Sequence, residues 1–191
     1  MVFRSGRERR LWSAAGLCIV LIYSSLYVAR PAAEFLRDQN LLRLVVVLAF
    51  LSAAGFVVWR LLVGRAGWRV LGTVSGIGIG YFWLLTAIPM MPEERLHFLE
   101  YGVVAALIYL ALRERRARFV ESGADTAELL VRLPPFATAV VLTGIAGWID
   151  EGIQAILPNR FYDIRDVSFN AAAAFICLAS LKLVEWAGRH E

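Results

Sequence analysis

The chain has 191 residues, of which 59% are hydrophobic, and a mean hydropathy of +0.63. This apolar content exceeds the roughly half that is usual for soluble domains, and it comes in blocks of about 18 residues or more, which predicts membrane spans. The net charge of +4 is explained by arginines that flank the spans, so nucleic acid is not an expected partner.

The apolar blocks predict an all-α, polytopic membrane helix bundle with the lipid bilayer as its surroundings. The first block follows a basic head and is read as an uncleaved helix, because a signal peptide would have a shorter apolar region. The segment 113–132 is polar and is expected to be partly helical. The six predicted spans are residues 11–29, 41–59, 70–88, 96–112, 133–157 and 167–186.

The arginines and the single lysine predict the orientation of these spans. With the N-terminus inside, the cytoplasmic segments carry 14 of the 20 basic residues and the outer segments carry six. The positive-inside rule therefore predicts that both termini lie in the cytoplasm, and we expect the protein in a bacterial inner (cytoplasmic) membrane. The loops 30–40, 89–95 and 158–166 then face outward. We divide the chain into an N-terminal helix pair, 1–66, and a four-helix core, 67–191.

Glycines in "GTVSGIGIG" fall on one face of the third span. Gly72, Gly76 and Gly80 are four residues apart, a spacing that lets membrane helices approach closely, and they are predicted to serve helix packing. The cysteines Cys18 and Cys177 lie inside apolar runs without a metal-binding spacing. We therefore predict no metal site and no cofactor.

The fourth span begins with a polar face. His97, Glu100 and Tyr101 are at positions i, i+3 and i+4, so their side chains point to one side of the helix. A carboxylate about one turn inside a span is costly, and such groups normally face the interior of the bundle.

The fifth and sixth spans offer matching polar faces at the same end. Glu151 and Gln154 share one face, whereas Asp150 lies about 100° away and is expected to meet water or lipid headgroups. Asp166 and Asn170 are at i and i+4, and Asp166 could cap its helix. The alternative to a binding site is a structural network in which buried acids pair with arginines. The predicted outward cluster contains His97, Glu100, Tyr101, Glu151, Gln154, Asp166 and Asn170, with Arg160 and Asp163 on the connecting loop.

Two stretches together carry a family pattern. The first is "HFLEYG", and the second, in residues 151–170, has the order Glu-x-x-Gln, Pro-Asn-Arg, Asp-x-x-Asp and Asn. They resemble the VanZ-like family of membrane proteins over residues 93 to about 185. The resemblance implies an integral membrane protein related to one linked to low-level teicoplanin resistance, in a family without an agreed activity or cofactor. Arg95 and the alanines at 173 and 174 depart from the family's usual lysine and glycines.

Three functions fit these observations. In the first, the cluster binds the head of an amphiphile or cell-envelope component. Arg160 would be a bidentate donor to an anionic group, and orientation would be fixed by Glu151, Gln154 and Asn170. In the second, the chain is an accessory subunit of a larger membrane complex. In the third, it is a membrane-embedded hydrolase or transferase with His97 as general base and Glu151 or Asp166 as an acid or metal ligand, although no nucleophile is evident.

Overall fold

The computed structural model describes residue 3 and residues 5–88, 91–122, 132–157 and 162–190. These residues form helices and no strand, which confirms the all-α prediction. All six helices are long and apolar enough to cross a membrane. They are α1 (Gly6–Asp38), α2 (Leu42–Val63), α3 (Trp68–Ala87), α4 (Pro92–Ser122), α5 (Pro135–Ile156) and α6 (Ile164–Gly188).

Helix α1 continues through most of the segment 30–40, which had been predicted to be a loop. Arg30 and Glu34 form an ion pair one turn apart, at 3.1 Å, within this extension. The helix ends where Asn40 takes a positive φ of 57°. Its N–H bonds to the carbonyl of Arg37, and the N–H of Leu41 bonds to that of Leu36. This Schellman arrangement satisfies the last carbonyls, so the chain needs no glycine to stop the helix.

Helix α4 also runs beyond its predicted apolar end at residue 112. The polar extension to residue 122 is held by Arg118, whose guanidinium pairs with Glu114 at 3.1 Å and with Glu121 at 3.0 Å. Pairs at i, i+4 and i, i+3 support a helix on its own surface. The expected helical character of 113–132 is therefore confirmed up to residue 122, and residues 123–131 lie outside the described part.

The chain divides into two compact units that differ from the predicted division at residue 66. The first unit comprises Met1–Ala29 and His97–Leu178, and the second comprises Arg30–Leu96 and Ala179–Glu191. The start of α1, assigned from the sequence to the N-terminal helix pair, belongs to the first unit, where polar contacts tie it to α4 and α5. Among them, the Tyr23 hydroxyl donates to the Ala146 carbonyl at 2.6 Å.

The core of the first unit is built on α4, half of whose most apolar window is buried. Its buried residues recur every three or four positions, which is the period of one helix face. On α6, Ala173, Ala174 and Leu178 are fully buried, so alanines rather than glycines suffice for packing there. The buried stripe of α4 includes Phe98, Tyr101, Val104, Ala105, Ile108 and Leu112.

The glycine stripe of α3 in the second unit does not make the contact predicted for it. A Cβ added at Gly72, Gly76 or Gly80 would meet no atom within 4 Å among the described residues. The close approach in this unit involves Gly188, whose added Cβ would lie 3.5 Å from Val70. Regular spacing puts small residues on one face, but it does not bring a partner to that face.

Candidate functional site

The candidate site lies on the buried face of α5, within the first unit. The buried positions of this helix recur at helical spacing and change from small residues to polar ones toward its C-terminal end. The helix thus presents packing residues first and ionisable groups last. The buried residues are Ala139, Thr143, Ala146, Gly147, Asp150, Glu151 and Gln154.

Asp150 is the main correction to the sequence prediction, because it points into the unit rather than toward water. Its side chain is 0% exposed, and its Oδ2 accepts a hydrogen bond of 2.7 Å from the Tyr101 hydroxyl. Gln154, one turn further along α5, interacts with the same carboxylate. A separation of 100° from Glu151 leaves both residues inside a buried face that is itself more than 100° wide.

Glu151 joins the end of α5 to the segment that precedes α6. It is 1% exposed, and its Oε1 accepts the backbone N–H of Asp163 at 2.8 Å. The side chain of Asp163 turns the other way and pairs with Arg165, whose Nη2 lies 2.6 Å from Oδ2. This guanidinium holds the pKa of the Asp163 carboxyl below its ordinary value. Asp163 therefore contributes its backbone, not its charge, to the contact with Glu151.

His97 and Glu100 form the more exposed side of the cluster. The Nδ1 of His97 lies 3.3 Å from Oε2 of Glu100, and the Glu100 side chain is 39% exposed. The imidazole also lies near the Tyr101 ring, with 6.0 Å between centroids. Asp150 and Asp166 act on His97 electrostatically, so α4, α5 and α6 all bring charge to this place.

Asn170 is held against α5 by a close helix crossing. The residue is 1% exposed, and a Cβ added at Gly147 would lie 2.7 Å from its Cβ. A separation under 3.0 Å is one that packed side chains do not adopt, so only glycine fits at position 147 with the helices where they are. This glycine was missed in the sequence, because it is a single residue and not part of a repeat.

Several buried polar atoms of the cluster have no hydrogen-bond partner within the described residues. They include Nδ1 of His97 and three oxygens, namely Oδ1 of Asp150, Oε2 of Glu151 and Oδ1 of Asn170. Leaving a buried polar group unpaired costs about 1–3 kcal/mol, and native structures contain few such groups. The three unpartnered oxygens lie at adjoining helix ends, and together they indicate a place where a further group can bind.

The predicted residues are therefore largely brought together, with two qualifications. Arg160 lies outside the described residues, and the Asp163 side chain faces Arg165. Sequence reasoning missed Asp150 and also Tyr23, whose hydroxyl contacts the helix turn before Asp150. The spacing of Asp150 from Thr143, seven residues earlier on an apolar and small-residue face, was the signal that could have found it.

A second polar cluster ties the start of α1 to the polar part of α4. Glu8 is 0% exposed, and its Oε1 accepts a hydrogen bond of 2.6 Å from Nε of Arg115. Ser5 accepts the N–H of Glu8 at 3.0 Å and donates to Glu114 at 2.9 Å. The Ser-x-x-Glu spacing of residues 5–8 is that of a capping box, a signal masked in the sequence by the surrounding arginines.

Among the described residues, no three or more His, Cys, Asp or Glu side chains are arranged to hold a metal ion. Comparison of the chain with protein-family models, curated proteins and solved structures finds no match. The function is therefore inferred from the chemistry of the site itself.

Proposed function

We propose that this chain is a binding protein of the membrane whose polar cluster receives the head group of an amphiphile. The observation that carries the proposal is the set of buried oxygens without partners on Asp150, Glu151 and Asn170. A purely structural network gains by satisfying all its members, and a partly satisfied one is worse than an apolar core. A bound head group would supply the missing partners.

The surroundings of the cluster favour an amphiphile over a fully polar ligand. Trp148 and Ile149 directly precede Asp150 on α5 and are 58% and 48% exposed. In a bilayer these side chains face the lipid, while the next residue faces the cluster. An acyl chain lying along this surface would keep its apolar contacts while its head entered between α4, α5 and α6.

The distribution of basic residues supports an outward-facing cluster, with both termini in the cytoplasm of a bacterial inner membrane. The same end of the chain carries the VanZ-like pattern, namely Glu151, Gln154, Asp166 and Asn170 at their spacings. We propose membership of that family on this pattern, with a cell-envelope component as the source of the amphiphile.

One observation favours a catalytic alternative. The Nδ1 of His97 lies 3.3 Å from Oε2 of Glu100, which puts a carboxylate beside a candidate general base, but the two atoms lack hydrogen-bond geometry. A nucleophile is not apparent, because the Ser168 hydroxyl is bonded to the Ile164 carbonyl of its own helix at 3.1 Å. Binding explains the unpartnered oxygens without requiring a nucleophile, so it is the function we favour.

The test is thermal unfolding of the purified protein in a neutral detergent. Three amphiphiles with the same twelve-carbon chain are added, namely dodecylammonium, dodecyl glucoside and dodecyl phosphate. We expect at least one to raise the Tm of the unmodified protein by about 5–10 °C at a hundredfold excess over its Kd. Glu151→Ala should abolish this shift, and Arg160→Ala should abolish any shift caused by the phosphate.

Glu121→Ala is the matched control, because Glu121 is an exposed carboxylate near the end of α4 that pairs with Arg118. It should leave every shift unchanged. If Glu151→Ala does not fold, Glu151→Gln keeps the acceptor for the Asp163 N–H and removes only the charge. A shift that is equal in the Glu151 variants and the unmodified protein would contradict the proposal.

A further inference from the structure

We propose that the head group bound by this cluster carries a primary ammonium, held by the buried carboxylates of Asp150 and Glu151. The inference rests on the proposed function and names the ligand chemistry of the same site. It goes beyond the sequence hypothesis, which considered only an anionic group facing Arg160.

The first step is the charge of the cluster. Glu100, Asp150 and Asp166 all act electrostatically on His97, and Glu151 is coupled to Asp150, Asp166 and His97. Four carboxylates thus interact electrostatically with one imidazole. Like charges gathered in a poorly solvated site repel each other, and a cation entering among them relieves that repulsion.

A second observation is that the guanidinium of Arg165, two residues after the backbone partner of Glu151, is engaged by Asp163. Arg165 donates from its backbone N–H and its side chain to Asp163, at 2.6–3.1 Å. Asp163 in turn gives Glu151 only its backbone N–H. This pair therefore supplies Glu151 with a backbone donor but with no positive charge.

The unpartnered oxygens of the two carboxylates also indicate which kind of group can bind them. Oδ1 of Asp150 and Oε2 of Glu151 are acceptors, and an ionised carboxylate has no donor to offer. An anionic head would meet only repulsion from these two atoms. A primary ammonium has three donors and a positive charge, and its hydrogen bonds to carboxylates are about twice as strong as those between neutral groups.

The fourth step separates an ammonium from a metal ion and from a neutral sugar. A divalent ion requires several ligands converging at fixed short distances, and the described residues offer no such group of His, Cys, Asp and Glu. Sugar hydroxyls can donate to the same oxygens but leave the charge unneutralised. A primary ammonium can donate hydrogen bonds to two separate carboxylates and also brings one positive charge to the pair.

The experiment uses the full chain in neutral detergent and measures Kd from the concentration dependence of Tm. Asp150→Asn and Glu151→Gln remove one charge each with little change in shape, and Glu121→Gln is the matched control. We expect dodecylammonium to bind the unmodified protein most tightly of the three head groups. Each cluster variant should weaken its Kd on the order of tenfold or more, as expected for loss of a charge-assisted hydrogen bond.

Additional probes distinguish a long-chain amine from a short-chain amine and from an inorganic cation. Butylammonium tests an amine without a long chain, and sodium and magnesium chlorides at matched charge test inorganic cations. Dodecylammonium binding that weakens in Asp150→Asn and Glu151→Gln, but not in Glu121→Gln, supports the inference. If Asp150→Asn does not fold, the comparison of Glu151→Gln with Glu121→Gln decides.

The outcomes separate the inference from the function on which it rests. If the glucoside or the phosphate shifts Tm in a Glu151-dependent way and the amine does not, the ammonium inference is overturned and the amphiphile function stands. If butylammonium binds as tightly as dodecylammonium, the inference of an ammonium ligand is supported and the proposal that the ligand is an amphiphile is overturned. Protection by an inorganic cation equal to that by the amine, with the same variant dependence, overturns the inference. No protection by any probe overturns both.

Discussion

At the scale of single residues, Asp150 shows that the burial of a side chain depends on the helix packed beside it. Its burial places a carboxylate against Tyr101, whose hydroxyl donates a hydrogen bond of 2.7 Å to Oδ2. The helical wheel of α5 gave the direction of Asp150 relative to Glu151, but the width of the buried face came from the elements packed on it.

We predict that Tyr101→Phe lowers the free energy of unfolding by about 1–3 kcal/mol. The reason is that the buried Asp150 carboxylate loses its hydroxyl donor while the ring still packs. The measurement is equilibrium unfolding in mixed detergent micelles containing increasing dodecyl sulfate. Tyr27→Phe is the control, because Tyr27 is 71% exposed. Equal stability of the two variants would show that this hydrogen bond contributes nothing.

At the scale of helices, length and composition were enough to find all six elements, while their ends were less predictable. The ends of α1 and α4 were missed because each helix continues past its apolar block on charged side-chain pairs. Contacts between helices were less predictable still. The repeated glycines of α3 face open space, whereas one isolated glycine, Gly147, sets the approach of α5 and α6.

We predict that Gly147→Ala lowers the free energy of unfolding by about 1–3 kcal/mol, because its Cβ would overlap Asn170 and force the helices apart. Gly152→Ala, on the same helix with no atom within 4 Å of the added Cβ, is the matched control. It should be neutral or stabilise by up to about 1 kcal/mol, since alanine favours a helix. The same micelle titration measures both. A Gly147→Ala protein as stable as Gly152→Ala would rule out the close crossing.

At the scale of the whole molecule, the chain combines two units of different character. In the first unit, α4 has half of its apolar window buried, and polar contacts of Glu8 and Tyr23 fasten α1 to it and to α5. In the second unit, α2 and α3 have only 11% of their apolar windows buried. Most side chains in these two windows are therefore not covered by the described residues of the chain.

We predict that Tyr162→Cys is labelled by a membrane-impermeant maleimide in intact spheroplasts, because positive-inside orientation puts the α5–α6 connection outside. His190→Cys should react only after the membrane is permeabilised. Both positions are exposed, and both variants are made in a Cys18→Ser, Cys177→Ser background to remove the natural thiols. The opposite labelling pattern would place the polar cluster on the cytoplasmic side.

The sequence by itself determined the all-α class, the six spans and the polar ends of α4, α5 and α6. These features depend on apolar length and on helical spacing, which are local properties. Only the tertiary structure decided that Asp150 is buried with Tyr101, that Glu8 pairs with Arg115, and that Gly147 contacts Asn170. The physical reason is that periodicity gives the direction of a side chain around its own axis, whereas burial depends on which neighbour that direction meets.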